Sequence, residues 1–138
     1  MREIKYRAWN KEWGMLLPVD NIIFENGLAV EVRVTIKASD YDHQDEWQDY
    51  RIGDEIILQQ YTGLNDKNDK EIYEGDIVKW ENNDNLNNGQ YYVTPSGIYT
   101  VIWKWTGFHF RDSHNCKFVP KSGEVIGNIY ENKDLLNN

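Results

Sequence analysis

The chain has 138 residues and a formal net charge of −8, a length that fits one domain able to bury roughly 65–70% of its unfolded surface. With 40% hydrophobic and 14% aromatic residues it is too apolar to stay disordered, and its acidity argues against nucleic acid as a partner, because backbone phosphates repel such a surface. The single cysteine, Cys116, excludes an internal disulfide framework. Met1–Arg7 contains no apolar signal region, and no run approaches the ~18 apolar residues of a membrane helix, so the expected location is the cytoplasm, with no membrane role.

Taken in order, Glu3–Trp9 alternates as a half-buried strand with Ile4, Tyr6 and Ala8 on one face. Asn10–Gly14 turns into a short strand at Met15–Leu17, which Pro18 ends. Asp20–Glu25 is a strand with Ile22 and Phe24 on one face. The Asn26-Gly27 that follows is the strongest hairpin signal in the chain. In the returning strand, Leu28, Val30, Val32, Val34 and Ile36 share a face. From Lys37 to Arg51 the alternation stops, and Asp40, Asp42, Asp45, Glu46 and Asp49 mix with Tyr41, His43, Trp47 and Tyr50. That segment reads as a long exposed acidic loop or loose helical turn, either a solvated face or a partner-binding loop anchored by aromatics.

Ile52-Gly53-Asp54 turns into a strand over Glu55–Tyr61, buried on both faces at Ile56–Leu58. Asn65–Lys70 is a polar turn, and Ile72–Trp80 opens the next strand, with Gly75 at a sharp bend. Glu81–Gly89 is an asparagine-rich loop, and Tyr91–Thr94 and Ile98–Trp105 form a hairpin around Pro95-Ser96-Gly97. Phe108–Arg111 and Glu124–Tyr130 complete the strands, and Glu131–Asn138 has room for one helical turn through Leu135 and Leu136. About nine short strands without a sustained helical period predict a mainly β domain spanning 1–138, a small SH3-like or partly open barrel elaborated by hairpins, with at most a short C-terminal helical turn.

The chemistry-bearing residues do not assemble into a known motif. His109, His114 and Cys116 match no zinc spacing. Asp66, Asn68, Asp69 and Glu71 lack the glycine and the alternate acceptors of a calcium loop. No Walker motif, phosphate-binding glycine loop or serine elbow is present, so no catalytic residue, metal ligand or cofactor is assigned. His109, between Phe108 and Phe110, is expected to face solvent. The six Trp and nine Tyr are the more unusual feature, and Trp103 and Trp105 share a strand face.

Three stretches, MREIKYRAWN, QYTGLNDKNDKEIYEGDIVKW and EVIGNIYEN, together resemble the YopX family of phage and prophage proteins of Gram-positive bacteria. The resemblance spans both ends and the centre. It implies a small, mostly β, phage-encoded cytoplasmic protein with a barrel-like core that self-associates, and it carries no established activity. Tyr61, Thr62, Gly63, Leu64, Lys67, Glu71, Ile72, Tyr73, Glu74, Gly75 and Asp76 match the central pattern. The family's Asn-Gly turn is replaced by Asn68-Asp69, and since Asp carries a cost at positive φ a different turn type is expected.

The reading that follows is a non-enzymatic protein-binding or assembly module that forms a homo-oligomer or binds a host or phage protein. Its candidate binding residues are Tyr61, Tyr73, Glu74, Asp76, Trp103 and Trp105. One alternative is a metal-dependent hydrolase or nucleotide-handling enzyme built on Glu74, Asp76 and His109. The other is single-stranded nucleic-acid binding through the Trp103–Trp105 strand.

Overall fold

A computed structural model of the chain describes residues 3–36, 46–81, 96–104, 107–111 and 123–137. Among these the fold is mainly β and barrel-like, the class expected, and the helical content is one 3-10 turn at Lys133–Leu136, within the tail segment where a single turn was foreseen. The chain divides into two compact units, Ile4–Gln60 and Tyr61–Asn138, the latter together with Met1–Glu3.

In the first unit, β1 (Tyr6–Asn10) pairs antiparallel with β2 (Met15–Pro18), while β3 (Asn21–Glu25), β4 (Leu28–Ile36) and β5 (Glu46–Arg51) form a three-stranded antiparallel sheet in sequence order. The first half of β6 (Ile56–Asn65) runs beside β1, from Asn10↔Ile56 to Tyr6↔Gln60. Ala8, Leu17, Val32, Val34, Tyr50 and Ile56 make the core, flanked by Val19, Ile22, Ile52 and Leu58. Alternation explains the choice: Ile22 and Tyr50 both lie opposite Val32 in register and share its face. Two polar groups buried with them are satisfied. Gln59 accepts a 2.7 Å bond from its cross-strand neighbour Arg7, and Asn10 Oδ1 accepts one from the Trp13 N–H at 2.8 Å, closing the β1–β2 turn.

Two expectations are corrected here. Residues 46–51 are not loop but β5, paired with β4 from Glu31↔Arg51 to Ile36↔Glu46; the remainder of the acidic segment, 37–45, lies outside the described residues. Its strand is held from across the sheet: Asp49 takes both hydrogen bonds of the Arg33 fork, at 2.8 and 3.0 Å, and Arg33 lies 4.0 Å from the centre of the Trp47 ring. Hydrogen bonding to Asp49 raises the Arg33 pKa, and hydrogen bonding to Arg33 lowers that of Asp49. The second correction is Leu28. Ile23 pairs with Glu31 but Phe24 pairs with Ala29, so Val30 is an extra residue in β4. One extra residue reverses the alternation, and Leu28 falls on the face opposite Val32. The Asn26-Gly27 turn is as expected, both residues having left-handed φ of 50° and 80°.

In the second unit, the end of β6 pairs with β7 (Glu71–Tyr73). A four-stranded antiparallel sheet follows, in which β8 (Asp76–Trp80) lies between β9 (Gly97–Lys104) and β11 (Glu124–Asn128), with β10 (Gly107–Phe110) outside β9. Ile72, Val78, Val101, Phe110 and Val125 form the core on one face, extended by Leu64, Trp80, Tyr99 and Phe108. Tyr99 stacks on Phe110 at 4.8 Å. The 3-10 turn packs against β9, and Ile77 and Thr100 on the other face are buried as well. His109 shares the Thr100 face and is only 9% exposed, not solvent-facing. It points away from Phe108 and Phe110, as expected, and is buried because that face too is covered. The expected Tyr91–Thr94 arm of the β9 hairpin, and most of the asparagine-rich loop, lie outside the described residues.

Candidate functional site

The marked stretch from Tyr61 to Asp76 is built around a bulge. Tyr61 pairs with Tyr73 and Asn65 with Glu71, so four steps along β6 face two along β7. Gly63 absorbs the extra length at φ 85°, and the Thr62 hydroxyl accepts the Leu64 N–H at 3.2 Å. The bulge brings the Tyr61 and Tyr73 rings to 5.5 Å, tilted by 44°. Both are buried, and both hydroxyls find a partner nearby on their own strand: Tyr61 donates to Asn65 Oδ1 at 2.5 Å and Tyr73 to Glu71 Oε2 at 2.8 Å.

The bend at Glu74-Gly75 places its backbone at a crossing. Gly75, at φ 85°, donates its N–H to Val101 at 2.8 Å and accepts the Ile129 N–H at 2.9 Å. Asp76 is 1% exposed, and its Oδ2 accepts the Tyr73 N–H at 2.8 Å, closing the bend with a side chain. Half-buried Glu74 lies near Tyr130, whose phenol is pushed up by burial and then by the Glu74 charge. Alternation in β8 puts Asp76 on the side of Val78, whereas Ile77, Thr100 and His109 share the other face. Register therefore separates Asp76 from His109, the two groups that a metal-assisted reaction was to use together. Among the described residues no group of three His, Cys, Asp or Glu side chains is placed to hold a metal ion.

The carboxylate that organises this region is Asp66, whose surroundings in the sequence match no calcium loop. It is 6% exposed. Its Oδ1 accepts the N–H groups of Asn68 and Lys70 at 2.8 and 2.9 Å, and its Oδ2 accepts that of Val125 in β11 at 2.9 Å. The backbone of the same loop adds Lys67 N–H to Gly123 C=O at 3.0 Å. Burial by itself pushes the Asp66 carboxyl up, but the Val125, Lys70 and Asn68 N–H groups, with the Lys70 charge, outweigh it and hold it below its ordinary value. The available signal was Asp followed two residues later by Asn, the pattern of a side chain capping its own turn. Asp69 takes φ 63° in this loop, so Asp itself occupies a left-handed position, and its Oδ1 accepts Asn65 Nδ2 at 2.9 Å.

A comparable device closes the C-terminal stretch. Asn128 Oδ1 accepts the N–H groups of Tyr130 and Glu131 at 2.9 and 3.0 Å, and Asn132 Oδ1 accepts that of Asn128 at 3.2 Å. Gly127 leaves room for Asn132: a Cβ there would lie 2.4 Å from its Oδ1.

Of the six candidate binding residues, Tyr61, Tyr73 and Asp76 are buried and Glu74 is half-buried, all within one bulge-and-bend assembly. Trp103 stands apart on β9, 51% exposed, with Phe108 of β10 directly opposite and packed edge-to-face at 4.8 Å. Trp105 lies outside the described residues.

Antiparallel strands ending in a single helical turn, with buried carboxylates serving as turn closures, define a small β protein whose most densely marked stretch is a structural joint. The chain belongs to the YopX protein family, whose family model matches residues 5–137 and so runs through both units. Among solved structures it is similar in fold to the crystal structure of protein EF1440 from Enterococcus faecalis, with 20% sequence identity, a TM-score of 0.66 and 99% of each chain covered. No curated protein matches the sequence.

Proposed function

We propose that the chain is a phage- or prophage-encoded, non-enzymatic protein-binding and assembly module that works in the host cytoplasm and associates with itself through an aromatic face. The observation that carries this reading is the Trp103–Phe108 pair. These rings continue the apolar face of β9 and β10 past the buried core, and Trp103 keeps half its surface in water. Trp is the side chain most enriched at interface centres. Association by strand addition has less support, because several outer strands carry blocking devices: β3 and β11 border irregular registers, and β2 ends in Pro18.

The test is sedimentation equilibrium over a hundredfold concentration range for the native chain and for Trp103→Ser. The native chain is expected to associate and the variant to shift toward monomer while still unfolding cooperatively, at a somewhat lower temperature because the Phe108 contact is lost. A native chain that stays monomeric throughout refutes self-association.

A further inference from the structure

The β3–β4 hairpin ends in a tip that nothing in the first unit's core uses. Phe24 and Leu28 are 62% and 71% exposed. They flank the rigid Asn26-Gly27 turn, and the extra residue at Val30 sets them on opposite faces of the ribbon: Phe24 lies opposite Ala29, and Leu28 opposite Glu25. β5 pairs with β4 only as far as Glu31, with the Ile52 N–H reaching the Val30 carbonyl at 2.9 Å. Residues 24–29 therefore project as a two-stranded ribbon beyond the third strand. A hairpin that lies flat on a surface needs one apolar face. A tip apolar on both faces fits a cleft that closes around it.

The flanking charge selects the kind of cleft. Between the paired residues Ile22 and Val32 the ribbon carries Glu25 and Glu31 and no basic residue. An anionic bilayer or a nucleic acid would repel it. Two copies of the tip set against each other would bring like charges together, Glu25 and Glu31 facing their own copies. We propose that this tip is an anchor inserted into an apolar cleft, rimmed by Lys and Arg, on a different protein. The inference rests on the protein-binding reading above but uses a separate surface from Trp103.

The test installs a photoreactive benzoylphenylalanine at position 24 of the full chain, in cells that naturally carry the gene, and identifies the cross-linked species by mass spectrometry. The purified partner is then titrated with the native chain and with Phe24→Ser, Leu28→Ser, Glu25→Lys and Trp103→Ser. The expected result is one discrete protein whose cross-linked peptides border an apolar cleft with basic residues. Phe24→Ser and Leu28→Ser should each weaken binding at least tenfold, Glu25→Lys severalfold, and added salt should weaken it further. Because Phe24 and Leu28 are exposed, their variants should unfold at the native temperature. Cross-links confined to the chain itself, to phospholipid or to nucleic acid overturn the inference. So does a partner that binds Phe24→Ser or Leu28→Ser as tightly as the native chain. If binding fails only in Trp103→Ser, the tip is refuted while the protein-binding reading stands; if the chain neither associates nor acquires a partner, both fall.

Discussion

Replacing Asp66 by Asn isolates one bond of the loop that joins β6 to β7. The amide oxygen can keep the Asn68 and Lys70 N–H groups, which both go to Oδ1. The amide NH₂ then meets the Val125 N–H, now accepted by Oδ2 at 2.9 Å, and two donors face each other. A hydrogen bond to a charged group contributes about 1.5–3 kcal/mol, and a buried N–H left without a partner costs about 1–3 kcal/mol, so the two descriptions of one loss agree on about 1.5–3 kcal/mol. Because the folded protein holds the Asp66 carboxyl below its ordinary value, the ionised form favours folding. That contribution is complete above the unfolded carboxylate range near pH ~4 and is lost as pH falls through the lower folded value. The stability gap between native chain and Asp66→Asn should therefore be largest near neutrality and narrow in acid. Urea unfolding followed by the fluorescence of the six Trp residues, at pH 7 and at intervals down to pH 3, measures it. An Asp66→Asn chain within about 0.5 kcal/mol of native at pH 7, or a gap that stays constant into acid, refutes the role given to this carboxylate.

Gly127→Ala should destabilise the second unit by about 1–3 kcal/mol, since the new Cβ displaces the Asn132 side chain from its bond to the Asn128 N–H; thermal unfolding reads the change, and Asn132→Ala in the same background should cost little more. Asp69→Gly removes the strain of φ 63° but also the side-chain bond from Asn65, leaving the one Asn65 Nδ2 gives the residue 69 carbonyl at 3.3 Å. The two effects oppose, and the unfolding free energy from urea titration should change by less than about 1 kcal/mol in either direction. A large loss would mean that the Asn65 contact, not the backbone, fixes this turn.

The parts of the fold legible in the sequence are those whose cause is local. Asn26-Gly27 fixes a left-handed turn through its own backbone preferences, and the valines of β4 declare a period of two without outside help. What escaped reading depends on partners distant in the chain. β5 looks like an acidic loop because Trp47, Asp49 and Tyr50 offer no clean alternation of apolar and polar residues. The backbone pairing with β4, with Arg33 across the sheet holding Asp49 and lying over Trp47, makes them strand residues. The bulge at Val30 is a register property of two strands, invisible in either one, and it moved Leu28 to the other face. The candidate site was half legible for the same reason. Glycine and tyrosine marked Tyr61–Asp76 as unusual, but the burial of Tyr61, Tyr73 and Asp76 follows from a four-against-two pairing that spacing alone does not disclose. Asp66 went unrecognised because one of its three donors is Val125, 59 residues away.

That separation bears on synthesis. At about 5–20 residues per second, the ribosome delivers Val125 roughly 3–12 s after Asp66. During that interval β8 lacks the strand that borders it on one side, and the Gly75 carbonyl lacks the Ile129 N–H. The bonds of the first unit, including Arg7 to Gln59, are all within the chain already made. Folding on the ribosome is thus expected to be split in time, with every contact of the first unit available before the second receives its last strand. An arrested nascent chain ending shortly before Gly123 should accordingly present a protease-resistant first unit joined to a cleavable remainder.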